Sequence, residues 1–464
     1  MKLLNKHNML IYAKTEKDEQ VFLGLFATYK SVIKKSQHRK FVRKLSRHII
    51  KARYYKTYIQ KGSLGSLYLT RFNKIKSCPI LDGLYPERYK KWRQPNRRYL
   101  AGKELSFANF SFIDNPMQTL NYFRWLAEAE CVYPPNSCKL NFIDESINDI
   151  SSYLLFGSTK QNMFPFFSGG IMSRNIKKIM KPLKLDEYLD IVINKNEQDN
   201  DNTIFALPVY SRKGSTERSS DIYKIESRDV VTTKVCEQFD TWLQKLSEGT
   251  DRIIKLSPFG KRSLSGIIGE ILDNAERHAD ISTKDDDGIW HITCFMKYDE
   301  SENKYTCCLS VFNKGDSIAK SIQSALDMEV LMKLKHYINT NKNVDKDLLA
   351  TVFALQDNAT RTKDESHGGW GFMSMVDFIK KISSDKPGEE PNITIISGDS
   401  YIRFAKPYIM MDMPANTPRY QWFNQTNSQD IPPDKNFVFK LQNKIAGTII
   451  TTRFYLNKDA LTHE

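Results

Sequence analysis

The stretch Gly269–Ala279, GEILDNAERHA, decides the reading of this chain. Ile267, Ile268, Ile271, Leu272 and Ala275 recur at helical spacing, which predicts a helix with one buried face. Glu270 and Asn274 stand four residues apart on it, and that step returns side chains to the same helix face. A carboxylate and a carboxamide therefore project together from an otherwise buried helix. The pairing suits metal-assisted hydrolysis of ATP. Glu270 would orient or deprotonate the attacking water, and the Asn274 oxygen would hold a Mg²⁺ bridging the phosphates. A solvated helix face produces the same spacing by chance, so the neighbouring segments have to decide.

Two alternating runs follow, Ile289–Tyr298 and Tyr305–Asn313, separated by the polar turn DESENK; they predict a hairpin. The second run ends in VFNKGDSI. A polar, mostly helical stretch comes next, about Ile318–Asn341 and Leu348–Leu355. It leads into TRTKDESHGGWGFMSMVDFIKKI, where Gly368, Gly369 and Gly371 precede an amphipathic helix. Glycines before a helix N-terminus let backbone N–H groups approach phosphate oxygens, although such a cluster also describes a plain loop. Asn392–Ala405 predicts a hairpin around Gly398-Asp399, and Lys444–Tyr455 a closing strand.

GEILDNAERHA resembles the N box, E-x-x-x-N-A, of the GHKL ATPases: gyrase, the ninety-kilodalton heat-shock chaperones, mismatch-repair MutL and histidine kinases. VFNKGDSI occupies the place of their G1 box, D-x-G-x-G. Asn313 stands where the adenine-reading Asp is expected, Gly315 matches the first glycine, and Ser317 replaces the second. An Asn still accepts a hydrogen bond from the adenine 6-amino group but brings no charge; N-x-G is also an ordinary turn. GGWG resembles the G2 box, and Gly447-Thr448 the G-T pair opening the last strand, whose hydroxyl joins the hydrogen bonds around adenine. Arg361 and Lys363 fit either a γ-phosphate contact or solvated lid residues.

VFNKG and FALQDNATRTKDESHGGWG are similar, more closely, to bacterial ATP-binding proteins with a histidine-kinase-like ATPase domain. The resemblance covers about residues 225–457. It implies a Bergerat-type two-layer α/β sandwich, with helices on one face of a mixed, mostly antiparallel sheet. ATP and Mg²⁺ are the implied ligands, Glu270 the catalytic base and Asn274 the metal ligand. Asn313, Gly315, Gly368, Gly369, Gly371 and Thr448 shape the nucleotide pocket. The implied activity is slow ATP hydrolysis whose nucleotide state switches a partner, a nucleic acid or a second protomer.

The helix expected before the N box, Thr233–Leu246, contains no His, which argues against autophosphorylation of the two-component kind. Two other classes stay open: a protein kinase of the anti-sigma or histidine-kinase type, and a nucleic-acid-binding or scaffolding protein with a degenerate ATP site.

Charge divides the chain. The first hundred residues hold 25 of the 69 Lys and Arg but 5 of the 54 Asp and Glu, so the remainder is net acidic. Lys30–Lys61 and Tyr89–Arg98 are the densest parts, with Tyr54, Tyr55, Tyr58, Trp92 and Tyr99 among the cations. Cations neutralise phosphates and flat rings stack on bases, so residues 1–100 suit DNA or RNA; an acidic protein or a membrane surface suits them too. The reading is a basic, mainly helical region over 1–122 and a small α/β segment, faintly similar to STAS domains, over 123–210. Asn194–Asn202 reads as an exposed polar loop. No apolar run reaches a spanning length, the start lacks a signal-peptide pattern, and seven cysteines without a C-x-x-C pair fit buried thiols in the cytoplasm.

Overall fold

The computed structural model describes residues 78–86, 104–130, 138–160, 167–180, 203–212, 224–225, 227–248, 253–277, 290–325, 327–357, 359, 371–384, 386–410 and 418–463. Both dense basic stretches, the polar loop Asn194–Asn202, and Arg361, Lys363, Gly368 and Gly369 lie outside them. The described chain runs α1 (Pro79–Leu84), β1 (Glu104–Phe107), α2 (Pro116–Glu130), β2 (Cys138–Phe142), α3 (Ser151–Lys160), β3 (Phe167–Met172) and α4 (Arg174–Met180). It continues with β4 (Ile204–Ala206), β5 (Tyr210–Ser211), β6 (Lys224–Ile225), α5 (Arg228–Leu246), β7 (Ile254–Leu256) and α6 (Pro258–Arg277). The hairpin β8 (Trp290–Asp299) and β9 (Lys304–Asn313) precedes α7 (Ile318–Gln323), α8 (Met328–Thr340), α9 (Lys346–Ala354) and α10 (Gly371–Ile382). Last come β10 (Asn392–Ser397), β11 (Ser400–Phe404), β12 (Val438–Lys440), β13 (Thr448–Tyr455) and β14 (Leu461–His463). The architecture is α/β, and among the described residues no helix is long and apolar enough to cross a membrane.

Two compact units divide these elements. The first holds a three-stranded parallel sheet in the order β1-β2-β3. Leu105, Phe107, Leu140 and Phe142 alternate onto one of its faces, where the Phe107 and Phe142 rings stack at 4.9 Å. The expected strand at 138–143 is β2. The small α/β segment starts earlier than Phe123, however, because β1 belongs to its sheet. ELSF is too short for a period-two pattern to stand out among basic neighbours.

The second unit holds a sheet in the order β12-β11-β10-β13-β9-β8-β5-β6, with β4 beside β8. Pairing is antiparallel except between β5 and β6. Both expected hairpins are present. The first keeps register from Trp290↔Asn313 to Asp299↔Lys304, and the Asn303 φ of 47° turns its loop. Because β4 and β5 pair with β8, this unit's sheet begins by Ile204 rather than near 225. Three- and two-residue strands leave no periodic trace in a sequence.

Strand alternation sorts this sheet into two buried faces. Ile292, Cys294, Leu309, Val311, Ile450, Ile393 and Ile402 point to one face and share a core with Val231, Val235 and Phe239 of α5, Ile267, Ile271 and Leu272 of α6, and Val376 and Ile379 of α10. The caps Ser317, Asp327 and Asp345 start α7, α8 and α9, each accepting a backbone N–H. These three helices, expected as a lid, bury Ile322, Leu334, Tyr337 and Leu349 in the same core.

Residues 109–121 and 144–158 of the same unit cover the opposite face. Thr451 donates to Asp149 at 3.1 Å, Tyr401 to the Ile113 carbonyl at 3.1 Å, and Arg453 pairs with Asp114 at 3.2 Å. Loops distant in sequence therefore complete this sheet.

Candidate functional site

Glu270 and Asn274 lie on α6, at the edge between its buried stripe and solvent, and both are partly buried. Gly266 precedes them on the same four-residue row. A Cβ at Gly266 would come within 2.5 Å of the Phe378 ring, so this row faces α10. The two helices run antiparallel. At one end a Cβ on Gly260 would meet the Ala460 carbonyl oxygen at 2.4 Å, and the Ile382 carbonyl accepts the neighbouring Asn457 N–H at 3.0 Å. Moving from Gly266 to Asn274 on α6 is therefore moving from Phe378 toward Gly371 on α10. Those two stretches amount to roughly 12 and 10 Å of helical rise. Gly371 at the start of α10 thus stands level with the turn that carries Asn274.

The same turn of α6 meets the ends of the central strands. Asn313, the last residue of β9, donates its Nδ2 hydrogen to the Ala275 carbonyl at 2.7 Å. That carbonyl lies in the last described turn of α6. Trp290, opposite Asn313 on β8, donates its Nε1 hydrogen to Glu276 at 3.0 Å, and the Arg212 Nε lies 3.5 Å from the same oxygen. Asp273 pairs with Arg228 at the start of α5. The last turn of α6 is fastened on three sides.

Thr448, first residue of β13, is the register partner of Asn313 and shares its face of the sheet. Its hydroxyl lies 2.8 Å from Ser397 Oγ, which also accepts the Ile318 N–H at 2.8 Å. Gly447 has a φ of 105°, and a Cβ there would stand 2.0 Å from the Asn313 carbonyl oxygen and 3.3 Å from the Gly315 nitrogen. Any side chain at 447 would push β13 off β9 at this point, so the glycine holds Asn313, Gly315 and Thr448 together.

Asn313 is 5% exposed, and among the described residues its Oδ1 has no hydrogen-bond partner. The amide cannot be assigned the other way round, because the Ala275 carbonyl needs a donor. A lone acceptor is thus held at the strand ends beneath α6, beside the Thr448 hydroxyl. Of the neighbouring titratable groups, His291 has its pKa pushed well below 6.5, by burial first and by Lys314 second. Burial, with Cys308 adding to it, raises the Cys307 thiol, and Cys78, Cys236, Cys294, Cys307 and Cys308 are all buried.

Glu270, Asn274, Asn313, Gly315, Thr448 and Gly371 are therefore gathered around the C-terminal half of α6, while Gly368 and Gly369 fall outside the described residues. No cluster of three or more His, Cys, Asp or Glu able to hold a metal occurs among the described residues. A Mg²⁺ at Asn274 would take its remaining ligands from phosphates and water, the usual habit of this ion.

Sequence reasoning missed the role of the Ala275 carbonyl, of Ser397 and of Trp290, none of which carries a local signature. It also missed Arg419. This guanidinium binds Asp357 just after α9 at 2.8 Å, and Ser374 at 3.0 Å and Asp377 on α10. It thereby joins the two ends that flank residues 358–370. No protein-family model, curated protein or solved structure matches this chain.

Proposed function

We propose that the chain is an ATP-binding protein with a histidine-kinase-like, GHKL-type site on a Bergerat-type sandwich, and that it hydrolyses ATP slowly with Mg²⁺. The observation that carries this reading is the buried Asn313 Oδ1, which has no partner among the described residues. Buried polar atoms are nearly always satisfied, and one that is not calls for an explanation. The 6-amino group of adenine supplies the missing donor. Thr448 then borders the base, and the row Glu270–Asn274 lies on the α10 side, where the phosphates would face the start of that helix. Bound Mg²⁺ would neutralise phosphate oxygens. Glu270 would orient or deprotonate a water, and the Asn274 oxygen would hold the ion.

Titration of the full chain with ATP and with GTP in Mg²⁺ tests the base reading. Guanine would set a carbonyl oxygen against Oδ1, so GTP should bind at least about tenfold more weakly. Equal affinity for both nucleotides, or none for ATP, refutes it. Asn274→Ala should weaken ATP binding in Mg²⁺, and unchanged affinity would remove the metal ligand. Glu270→Ala should stop turnover but spare binding. Label from γ-labelled ATP should leave as free phosphate, whereas label retained on protein would mark a kinase.

A further inference from the structure

We infer that Asn313 is a positioning residue as well as the base-reading group, and that this chain requires an amide there and excludes an acid. The inference deepens the ATP reading, but its first half rests on the α6 contact alone. One end of the amide supplies a hydrogen to the Ala275 carbonyl at 2.7 Å; the other presents the lone acceptor. The hydrogen bond at its nitrogen restrains the amide, and so biases the direction of its oxygen relative to the α6 turn bearing Asn274. The base-reading atom and the proposed metal ligand then move as one piece. Replacing the Asn by the Asp of the D-x-G-x-G pattern would set two oxygens against each other with no hydrogen between them, in a site 5% exposed. The amide is therefore a fastening of the helix end, and not a weakened copy of an acid.

The test compares Asn313→Asp and Asn313→Ala with the parent chain by thermal unfolding at several pH values. Charged and titratable groups on the surrounding elements include Glu270, Asp273 and Glu276 on α6, Arg212 and Arg228 paired with two of them, His291 on β8, Lys314 and Asp316 after β9, and Lys444 before β13. They are common to all three proteins, so the difference from the parent is what is read. At about pH 8, Asn313→Asp should melt about 5 °C or more below the parent. Near about pH 5 that gap should shrink by at least half, because a protonated carboxyl can donate its O–H to the Ala275 carbonyl. The gap for Asn313→Ala should not change with pH. An Asn313→Asp protein as stable as the parent at high pH, or a gap that ignores pH, overturns the inference. Should the acid variant not fold, amide exchange in Asn313→Ala decides. It should quicken at least about tenfold in the last turn of α6 and stay unchanged in α8, and unchanged exchange in α6 overturns the inference. A parent chain that binds no ATP would refute the proposed function while leaving the pH-dependent gap to be judged by itself.

Discussion

Arg419→Met removes a guanidinium whose side chain is 10% exposed and whose partner Asp357 is 1% exposed. The parent arrangement is dense. Arg419 gives Asp357 both its backbone N–H and its Nε hydrogen at 2.8 Å, and reaches Ser374 and Asp377 with the rest of the guanidinium. The substitution leaves the Asp357 carboxylate buried without its counter-charge. Breaking one side of a buried pair costs about 3–5 kcal/mol. In a unit of this size that becomes a fall of about 10 °C in the melting temperature, read by calorimetry or near-ultraviolet circular dichroism. Combining Arg419→Met with Asp357→Asn removes the stranded charge, and the double variant should regain more than half of the loss. A single variant melting within about 2 °C of the parent would refute the reasoning. So would a double variant no better than the single. Because Asp357 and Asp377 flank residues 358–370, the single variant should also bind ATP more weakly even below its melting point.

Gly447→Ala should cost about 2–4 kcal/mol, since it combines an unfavourable φ with a Cβ set against the Asn313 carbonyl oxygen. Nucleotide affinity should fall with it, and a variant that melts and binds like the parent would show that β13 is not clamped there. His291 gives a pH signature. Its folded pKa lies well below 6.5, so the unfolded chain takes up the proton first as pH falls. Its contribution is full above about pH 6.5 and drains below it by about 1.4 kcal/mol per pH unit, until the folded pKa is reached. His291→Phe, stacked on Phe312 as the imidazole is at 6.2 Å, should flatten that limb of the stability curve. For the basic residues 1–100, full-chain binding to DNA or RNA should weaken steeply with added salt. A salt-independent affinity would point to another partner.

How much of this was legible in the sequence follows from where each signal is written. Helix α6 was readable because twenty residues repeat an apolar stripe, and the β8–β9 hairpin because ten-residue strands alternate on either side of a polar turn. The i, i+4 row of Glu270 and Asn274 needed no tertiary information at all. β1, β4 and β5 were not readable, being two to four residues long. Ser397 and Ala275 were not readable for a different reason: their parts in the site come from a strand neighbour and a helix end brought together by folding. The covering of the sheet's second face by residues 109–121 and 144–158 is of the same kind, since Asp149 lies some three hundred positions from its partner Thr451. Sequence patterns carry faces and periods; they do not carry which distant loop completes which face.

The two polar rows inside this sheet show why one reads as structure and the other as a site. On the second face, Ser310 and Thr451 lie 2.7 Å apart and Thr451 donates to Asp149. Asp149 also accepts from Ser111, Phe112, Ile113 and, twice, Ser151. Both oxygens of that buried carboxylate are used by the chain itself, so nothing is left to bind a ligand. On the first face, the row Trp290–Asn313–Thr448–Ser397 also runs across neighbouring strands. Trp290, Thr448 and Ser397 find partners, as does the Asn313 nitrogen, and among the described residues the Asn313 oxygen does not. An unsatisfied buried acceptor costs about 1–3 kcal/mol in the folded chain. A ligand that brings the donor recovers that cost on binding, and one that brings a second acceptor adds to it. If the chain binds ATP as proposed, a preference for an amino-bearing base would follow from this one acceptor, left without a donor among the described residues.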